Sequence, residues 1–294
     1  MHPCCIAPSI PGTRRMGGLP ITSAAPEQAG IFMDIYGDIS PGGSVAAFDP
    51  VSGDMMGACF YHPRERHVSL GVMAVNPDYF GRGVGRALVD HIIHFTEENR
   101  YPALRLVGSA INMNSFSLYN RSGFVPRGGY HDFVIPVPHG GLQVEFPQRE
   151  CVRVARAADV AAMAELEARV SGITRINDYR YAIDNPRGAL RALVYDNRRG
   201  GIGGFMIMVK HPALNMLGPC VARDEKVALA LILQATEYYR GALPLLVVPM
   251  DKRKMVCTLY DWGARNVETH LFQVRGDFQP FNGVNLPSFL PETG

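Results

Sequence analysis

Apolar residues recur along this chain in two rhythms, strict alternation and a three-to-four spacing, and the switch between them marks its elements. Val68, Leu70 and Val72 alternate with Ser69 and Gly71, which predicts a strand over His67–Val75. Ser44–Phe48 and Met55–Tyr61 predict two earlier strands joined by the turn Asp49-Pro50-Val51-Ser52-Gly53-Asp54. Asn76 to Gly85 is glycine-rich and turn-like. Beyond it Leu88, Val89, Ile92, Ile93 and Phe95 share one face of a helix from about Arg86 to Asn99. Ala103–Gly108 predicts a further strand. Asn114 is placed to cap a short helix over Ser115–Ser122, with Gly123 as its left-handed stop and Phe124 packing back. Phe133–Pro138 predicts a last strand before the linker His139–Gly141.

The order then starts again. Val152–Val154 predicts a strand, and from Ala157 a helix carries Val160, Met163, Leu166 and Val170 on one stripe. Strands follow at Leu190–Tyr195 and Gly203–Val209, around the turn Asp196–Gly201. A helix over Glu225–Tyr238, a strand at Pro244–Val248 and a helix ending near Gly263 complete the half. A shift of 141 residues lays Ala87-Leu88 on Ala228-Leu229, Leu104 on Leu245, and Leu118-Tyr119 on Leu259-Tyr260. Three landmarks sharing one shift indicate an internal duplication, with Gly123 and Gly263 one residue out of step. The pattern predicts an α/β protein with two copies of one fold, at residues 44–141 and 151–294. Residues 1–43 form a Pro/Gly-rich arm, of which Gln28–Ile39 is expected to be structured.

Composition narrows the class. The 294 residues are 47% hydrophobic and 19% charged, enough to build two cores and too apolar for a disordered chain. No apolar run is long enough to cross a membrane. Lys plus Arg total 29 against 27 for Asp plus Glu, a balance of +2 that argues against nucleic-acid binding. Cys4 and Cys5 are adjacent, and Cys59, Cys151, Cys220 and Cys257 are scattered without CxxC spacing, so reduced thiols are expected, with neither a disulfide framework nor a metal site. Arg14 and Arg15 are followed by no apolar segment, so no signal peptide is expected, and a cytoplasmic location follows. The final Leu290-Pro291-Glu292-Thr293-Gly294 matches a cell-wall sorting signal, yet no hydrophobic segment or basic tail follows it. Coincidence or an appended tag is the expected reading.

Chemistry concentrates in Met73-Ala74-Val75-Asn76-Pro77-Asp78-Tyr79-Phe80-Gly81-Arg82-Gly83-Val84-Gly85-Arg86-Ala87-Leu88. This is a strand, a tight loop and a helix start. Glycines at 81, 83 and 85 let backbone N–H groups converge, and the helix adds its unpaired amides and positive dipole end, which together make an anion cradle. Arg82 and Arg86 add charge suited to a pyrophosphate. A Walker loop would need Gly-Lys-Ser/Thr, and the dinucleotide fingerprint needs a different glycine spacing. The stretch resembles the acetyl-coenzyme A loop of the GCN5-related N-acetyltransferases, Q/R-x-x-G-x-G/A, with Gly83 and Gly85 in the small positions and Phe80 where Gln or Arg is usual. The family's second motif is present as Asn112 followed by Leu118-Tyr119-Asn120-Arg121-Ser122-Gly123-Phe124.

The resemblance implies roles residue by residue. Backbone groups of Met73, Ala74 and Val75 would pair with the pantetheine arm, and the Val75 amide would polarise the thioester carbonyl. Amides across Gly81, Arg82, Gly83, Val84, Gly85 and Arg86 would hold the pyrophosphate. Asn112 would contact the cofactor arm, and Tyr119 would protonate the leaving thiolate. The family's usual base is a carboxylate near Ser69, which serine cannot replace; His67 or a water relay stands in its place. Acetyl-coenzyme A is then the co-substrate, with no metal, and a small-molecule amine is the acceptor, with no nucleic-acid or membrane partner. A non-catalytic acyl-coenzyme A-binding module, or an enzyme using another acyl group or acceptor atom, is the alternative. At the 141 shift the loop becomes Asp224, Glu225, Lys226 and Val227, whose acids would repel phosphate, so the second copy is expected to lack the cofactor. Tyr260 and Trp262 are then structural. Val152–Arg191 is expected to help wall the acceptor pocket of the first copy.

Overall fold

A computed structural model describes residues 30–197 and 201–293; the readings placed on Cys4, Cys5, Arg14 and Arg15 lie outside the described residues. The first copy begins with α1 (Gly30–Ile39) and three antiparallel strands, β1 (Ser44–Phe48), β2 (Met55–Pro63) and β3 (Val68–Val75). Next come α2 (Val84–Glu98), β4 (Ala103–Ser109), α3 (Met113–Arg121) and β5 (Val125–Val134). Val84, Leu88, Val89 and Ile92 form the buried stripe of α2 and pack on Cys59, Val68, Leu70, Leu104 and Leu106 of the sheet. That helix stops at Asn99, whose side-chain amide donates to the Phe95 carbonyl at 2.8 Å.

Two expectations need correction here. The cap of α3 is Asn112 rather than Asn114: its side chain accepts from the Ser115 amide at 3.1 Å, so the helix starts two residues earlier. The last strand of the first copy spans Val125–Val134, not Phe133–Pro138, because its first half is exposed and rich in Pro and Gly, which hides the alternation.

The second copy comprises β6 (Val152–Val154), α4 (Val160–Ser171), α5 (Ile176–Asp184), β7 (Leu190–Asp196), β8 (Ile202–His211), β9 (Leu214–Ala222), α6 (Glu225–Thr236), β10 (Leu245–Pro249), α7 (Arg253–Asp261), β11 (Arg265–Gly276) and β12 (Val284–Leu286). Nearly every side chain of α6 is buried, so it packs on all sides rather than by one stripe. Trp262 meets Phe146 edge-on at the margin of this core.

The two copies do not have separate sheets. All strands join one 12-stranded sheet in the order β1-β2-β3-β4-β11-β5-β10-β9-β8-β7-β6, with β12 attached to β9. The centre is a reciprocal exchange. The last strand of the second copy, β11, pairs along β4 from His270↔Ser109 to Gly276↔Ala103, and the last strand of the first, β5, pairs along β10 from Leu245↔Val134 to Pro249↔Tyr130. The exchanged strands also pair with each other. Each copy thus completes the sheet of its neighbour, and the 141-residue repeat marks copies in sequence that are interlocked in space.

After β11 the chain crosses back. Phe278 and Phe281 lie on Phe272, and β12 joins β9. Ser288–Thr293 then closes a tight loop: the Thr293 amide donates to the Ser288 carbonyl at 3.1 Å, and the Ser288 amide to the Thr293 hydroxyl at 2.8 Å. Leu290 is fully buried, and the Tyr36 hydroxyl of α1 donates to the Phe289 carbonyl at 2.6 Å. Leu290–Thr293 of the sorting-signal look-alike are therefore packed into the fold, which fits the coincidence reading rather than that of an appended tag.

Candidate active site

The site begins where two parallel strands part. β3 and β4 meet only at Val68↔Leu104 and Ser69↔Arg105, although β3 runs on to Val75 and β4 to Ser109. A bulge drives them apart: Gly71 and Val72 both stand opposite Phe60, between the pairs Cys59↔Met73 and Tyr61↔Leu70. Met73, Ala74 and Val75 remain paired with β2 on one edge, while the edge toward β4 has no strand beside it. Backbone donors and acceptors on such an edge can take an extended ligand as an added strand.

The same cleft opens onto the N-terminus of α2. Gly83 is the N-cap, in the left-handed conformation (φ 82°), and supplies no side chain to cap the helix. The first-turn amides of Val84, Gly85 and Arg86 precede any intrahelical acceptor, so they are free to bind an anion. Gly81 is also left-handed (φ 76°), and a Cβ at either Gly81 or Gly83 would meet nothing within 4 Å. Open space before uncapped amides fits a pyrophosphate. Arg82 lies over the Tyr79 ring at 5.1 Å, and the Arg86 guanidinium bonds Asp90 at 2.7 Å, an exposed pair that phosphate can compete for. Phe80 is 66% exposed and packs on no core, consistent with the loop's backbone rather than this side chain forming the cradle.

Tyr119 lies beneath the cleft, against Phe124 and within the core formed with α2. It is 7% exposed, and no hydrogen bond of its hydroxyl occurs among the described residues. Burial, then the neighbouring Cys59 and Glu292, push its pKa well up, so it keeps its proton. A protonated hydroxyl without a partner is suited to donation. Asn112, between β4 and α3, has its carbonyl oxygen committed to the α3 cap, and its amide group makes no hydrogen bond among the described residues.

His67 is fully buried, and neither ring nitrogen has a partner. Burial, then Arg64, Arg105 and Arg175, push its pKa well below the usual histidine range. A base must take up a proton, and these surroundings oppose one. Ser69 is equally enclosed with an unpartnered hydroxyl.

The sheet face carrying Ser69 is covered from three distant parts of the chain. Tyr36 of α1 lies 4.6 Å from His62 and 5.1 Å from Phe60. From the second copy, Asp178 binds Arg64 at 2.8 Å, the Ile176 amide donates to Glu65 at 3.1 Å, and Arg105 reaches the Ser171 carbonyl at 3.4 Å. Behind these, Glu167 is held by Arg175 and by the Tyr179 hydroxyl in a buried set. From the C-terminal loop, Glu292 presents its backbone carbonyl to Arg64 at 2.8 Å. Sequence reasoning reached Val152–Arg191 through the repeat but missed Tyr36 and Arg64, which carry no motif, and Glu292, whose only motif is the sorting-signal look-alike.

The corresponding place in the second copy is filled. β9 and β10 meet only at Met216↔Leu245, and beyond that point β12 occupies the free edge of β9 through Val284↔Ala222, Asn285↔Val221 and Leu286↔Cys220. The chain's own strand lies where a pantetheine arm would pair. Only Arg223 and Asp224 separate β9 from α6, and the Asp224 carboxylate caps that helix by accepting from the Val227 amide at 2.9 Å. Tyr260, the counterpart of Tyr119, is 48% exposed and rests edge-on against Phe133. Among the described residues no cluster of three or more His, Cys, Asp or Glu could hold a metal, and no helix is long and apolar enough to cross a membrane.

Comparison with known proteins agrees with this geometry. The profile of the acetyltransferase (GNAT) family matches residues 24–124, and that of an acetyltransferase (GNAT) domain matches residues 163–280. The uncharacterized N-acetyltransferase YitH of Bacillus subtilis is 24% identical over 226 residues, covering 75% of this chain and 74% of that protein. The N-acetylaspartate synthetase of Danio rerio is 30% identical over 100 residues, 33% of this chain and 36% of that one. A crystal structure from Pyrococcus horikoshii, provisionally described as an acetyltransferase, superposes with a TM-score of 0.71 at 18% identity, over 91% of this chain and 86% of its own. A tandem GNAT protein from the clavulanic acid biosynthesis pathway superposes at 0.56 and 16% identity, over 87% and 90%. The chain belongs to the GNAT acetyltransferase family, as an acyltransferase with two domains of that family in tandem.

Proposed function

We propose that the first copy transfers an acetyl group from acetyl-coenzyme A to the nitrogen of a small-molecule amine. The observation that carries this reading is the parting of β3 and β4 directly beside the uncapped start of α2, with the unpartnered Tyr119 hydroxyl beneath it. The edge of Met73–Val75 would hold the pantetheine arm, and the amides of Gly81–Arg86 the pyrophosphate. Acyl-coenzyme A supplies an activated thioester; everything else is done by this chain. The backbone at Val75 would polarise the carbonyl, and Tyr119 would give its proton to the departing sulfur. Both curated relatives are named for N-acetyl transfer, which favours nitrogen over oxygen as the acceptor atom. The face where an acceptor would enter is covered by α1, α5 and the C-terminal loop, which favours a small molecule over a folded protein.

The test is release of coenzyme A thiol from acetyl-coenzyme A in the presence of amines. Tyr119→Phe keeps the ring and removes the proton, so turnover should fall about 30-fold to 100-fold with coenzyme A affinity within about twofold of the parent. An unchanged turnover would remove Tyr119 from the chemistry.

A further inference from the structure

The resemblance implies a carboxylate near Ser69, a residue that cannot serve as a base, and the surroundings of His67 oppose proton uptake. A carboxylate nonetheless reaches this face from elsewhere. His62 pairs with Ser69 across β2 and β3, and the Arg64 guanidinium donates to the His62 carbonyl at 3.2 Å and to the Glu292 carbonyl at 2.8 Å. One guanidinium therefore ties Glu292 to the rung that bears Ser69. The Phe289↔Glu292 bridge, the Ser288–Thr293 hydrogen bonds and the Tyr36–Phe289 bond hold the loop rigidly there.

Glu292 is 5% exposed, yet no hydrogen bond or ion pair reaches its carboxylate among the described residues, since Arg64 is spent on Asp178 and on backbone carbonyls. A buried acid left without a partner is a costly arrangement unless something uses it. The groups that face it are Arg64, just after β2, Cys59 on β2, Tyr36 on α1 and Tyr119 on α3, with His62 and Asp178 reached through Arg64. Its charge is felt by Tyr36, by Cys59 and by Tyr119, which lies beneath the cleft.

We propose that Glu292, delivered by the C-terminal loop of the second copy, is the general base of the first copy's active site. The inference rests on the acetyl-transfer reading above. The Glu292 carboxylate takes one proton from the substrate ammonium. The freed nitrogen lone pair forms the C–N bond to the acetyl carbon as the C–S bond breaks. Tyr119 gives its proton to the departing sulfur and recovers one from the nitrogen, which ends as an amide. The proton on Glu292 returns to solvent. Burial, offset in part by Arg64, pushes the Glu292 pKa up to about 8. The ionised, proton-accepting form is therefore populated only as pH rises through that value, and the rate should climb over the same range.

The experiment compares the full chain with Glu292→Gln and Glu292→Asp. Coenzyme A release is followed from pH 6 to pH 10 with acetyl-coenzyme A and a panel of amino acids, ethanolamine, glucosamine and spermidine. Coenzyme A affinity and carboxyl titration of 13C-Glu-labelled protein are measured alongside. Expected are a drop of about 100-fold for E292Q at pH 8.5, loss of the rising limb, partial recovery in E292D and unchanged coenzyme A affinity. In the labelled protein one carboxyl should titrate near 8 and be missing from E292Q. A rate within threefold of the parent with the limb retained would overturn the assignment. So would a loss of rate matched by a loss of coenzyme A affinity or of cooperative unfolding, which would make Glu292 structural. If the parent transfers to none of the amines, the acetyl-transfer reading fails instead. The titration then separates the two failures: a carboxyl near 4.5 overturns the Glu292 assignment as well, and one near 8 leaves the fault with the amine-transfer reading.

Discussion

Gly83→Asp should lower affinity for coenzyme A at least about a thousandfold without unfolding the protein. A side chain at this position meets no neighbour within 4 Å, so the fold has room for it. The left-handed conformation (φ 82°) costs aspartate about 1–2 kcal/mol at most, since its short polar side chain tolerates that region. The loss falls on the ligand. Aspartate here would set a carboxylate before the first-turn amides of α2, competing for the donors that a pyrophosphate needs and adding a repelling charge. Two or three charge-assisted hydrogen bonds, each worth about 1.5–3 kcal/mol, account for the size of the effect. Calorimetric titration with coenzyme A and a thermal melt check the two halves of the expectation. An affinity within tenfold of the parent would mean that the cradle lies elsewhere.

The second large effect is on folding. Residues 30–145 alone should fail to give a stable domain, although they contain a complete copy by sequence. Without the second copy, β4 loses the partner that pairs with Ala103–Ser109, and β5 loses both neighbours. Two open edges invite aggregation. Arg64, whose side chain is 3% exposed, would lose Asp178, and stranding a buried charge costs about 3–5 kcal/mol, a large share of the roughly 5–15 kcal/mol that stabilises a domain. Mixing the fragment with residues 146–293 should restore a soluble complex, because each supplies the strand that the other lacks. Size-exclusion chromatography and urea unfolding report the outcome. A monomeric 30–145 fragment that unfolds cooperatively and binds coenzyme A would contradict the exchange as a source of stability.

Much of the site was legible because its signals are local. The alternation of Val68, Leu70 and Val72, the stripe on α2 and the glycines at 81, 83 and 85 each report on one element, and the structure sets them side by side. The repeat was legible too, since Leu118-Tyr119 and Leu259-Tyr260 sit on matching helices. Other elements escaped for physical reasons. β9 is buried on both faces and interrupted by Gly218-Pro219, so it shows no alternation. β11 carries Arg265, Glu268, His270 and Arg275 on a strand enclosed by neighbours, and its polarity reads as loop. Periodicity reports which face of an element is buried and is silent about which strand lies beside it. The exchange of β5 and β11, and the seating of β12 in the second cleft, had no local signal at all. Glu292 is the sharpest case: it belongs to a motif that resembled a sorting signal, and its meaning comes only from Arg64 and Tyr36, far away in the chain.

The two copies now have unequal tasks. The first holds an open edge and an uncapped helix; the second has both occupied by its own residues, and it lends α5, β11 and the C-terminal loop to the first. That division is tested most directly by the stoichiometry of coenzyme A binding to the full chain, read by calorimetric titration. One site per chain is expected. Two sites per chain, or a single site that survives Gly83→Asp, would contradict it.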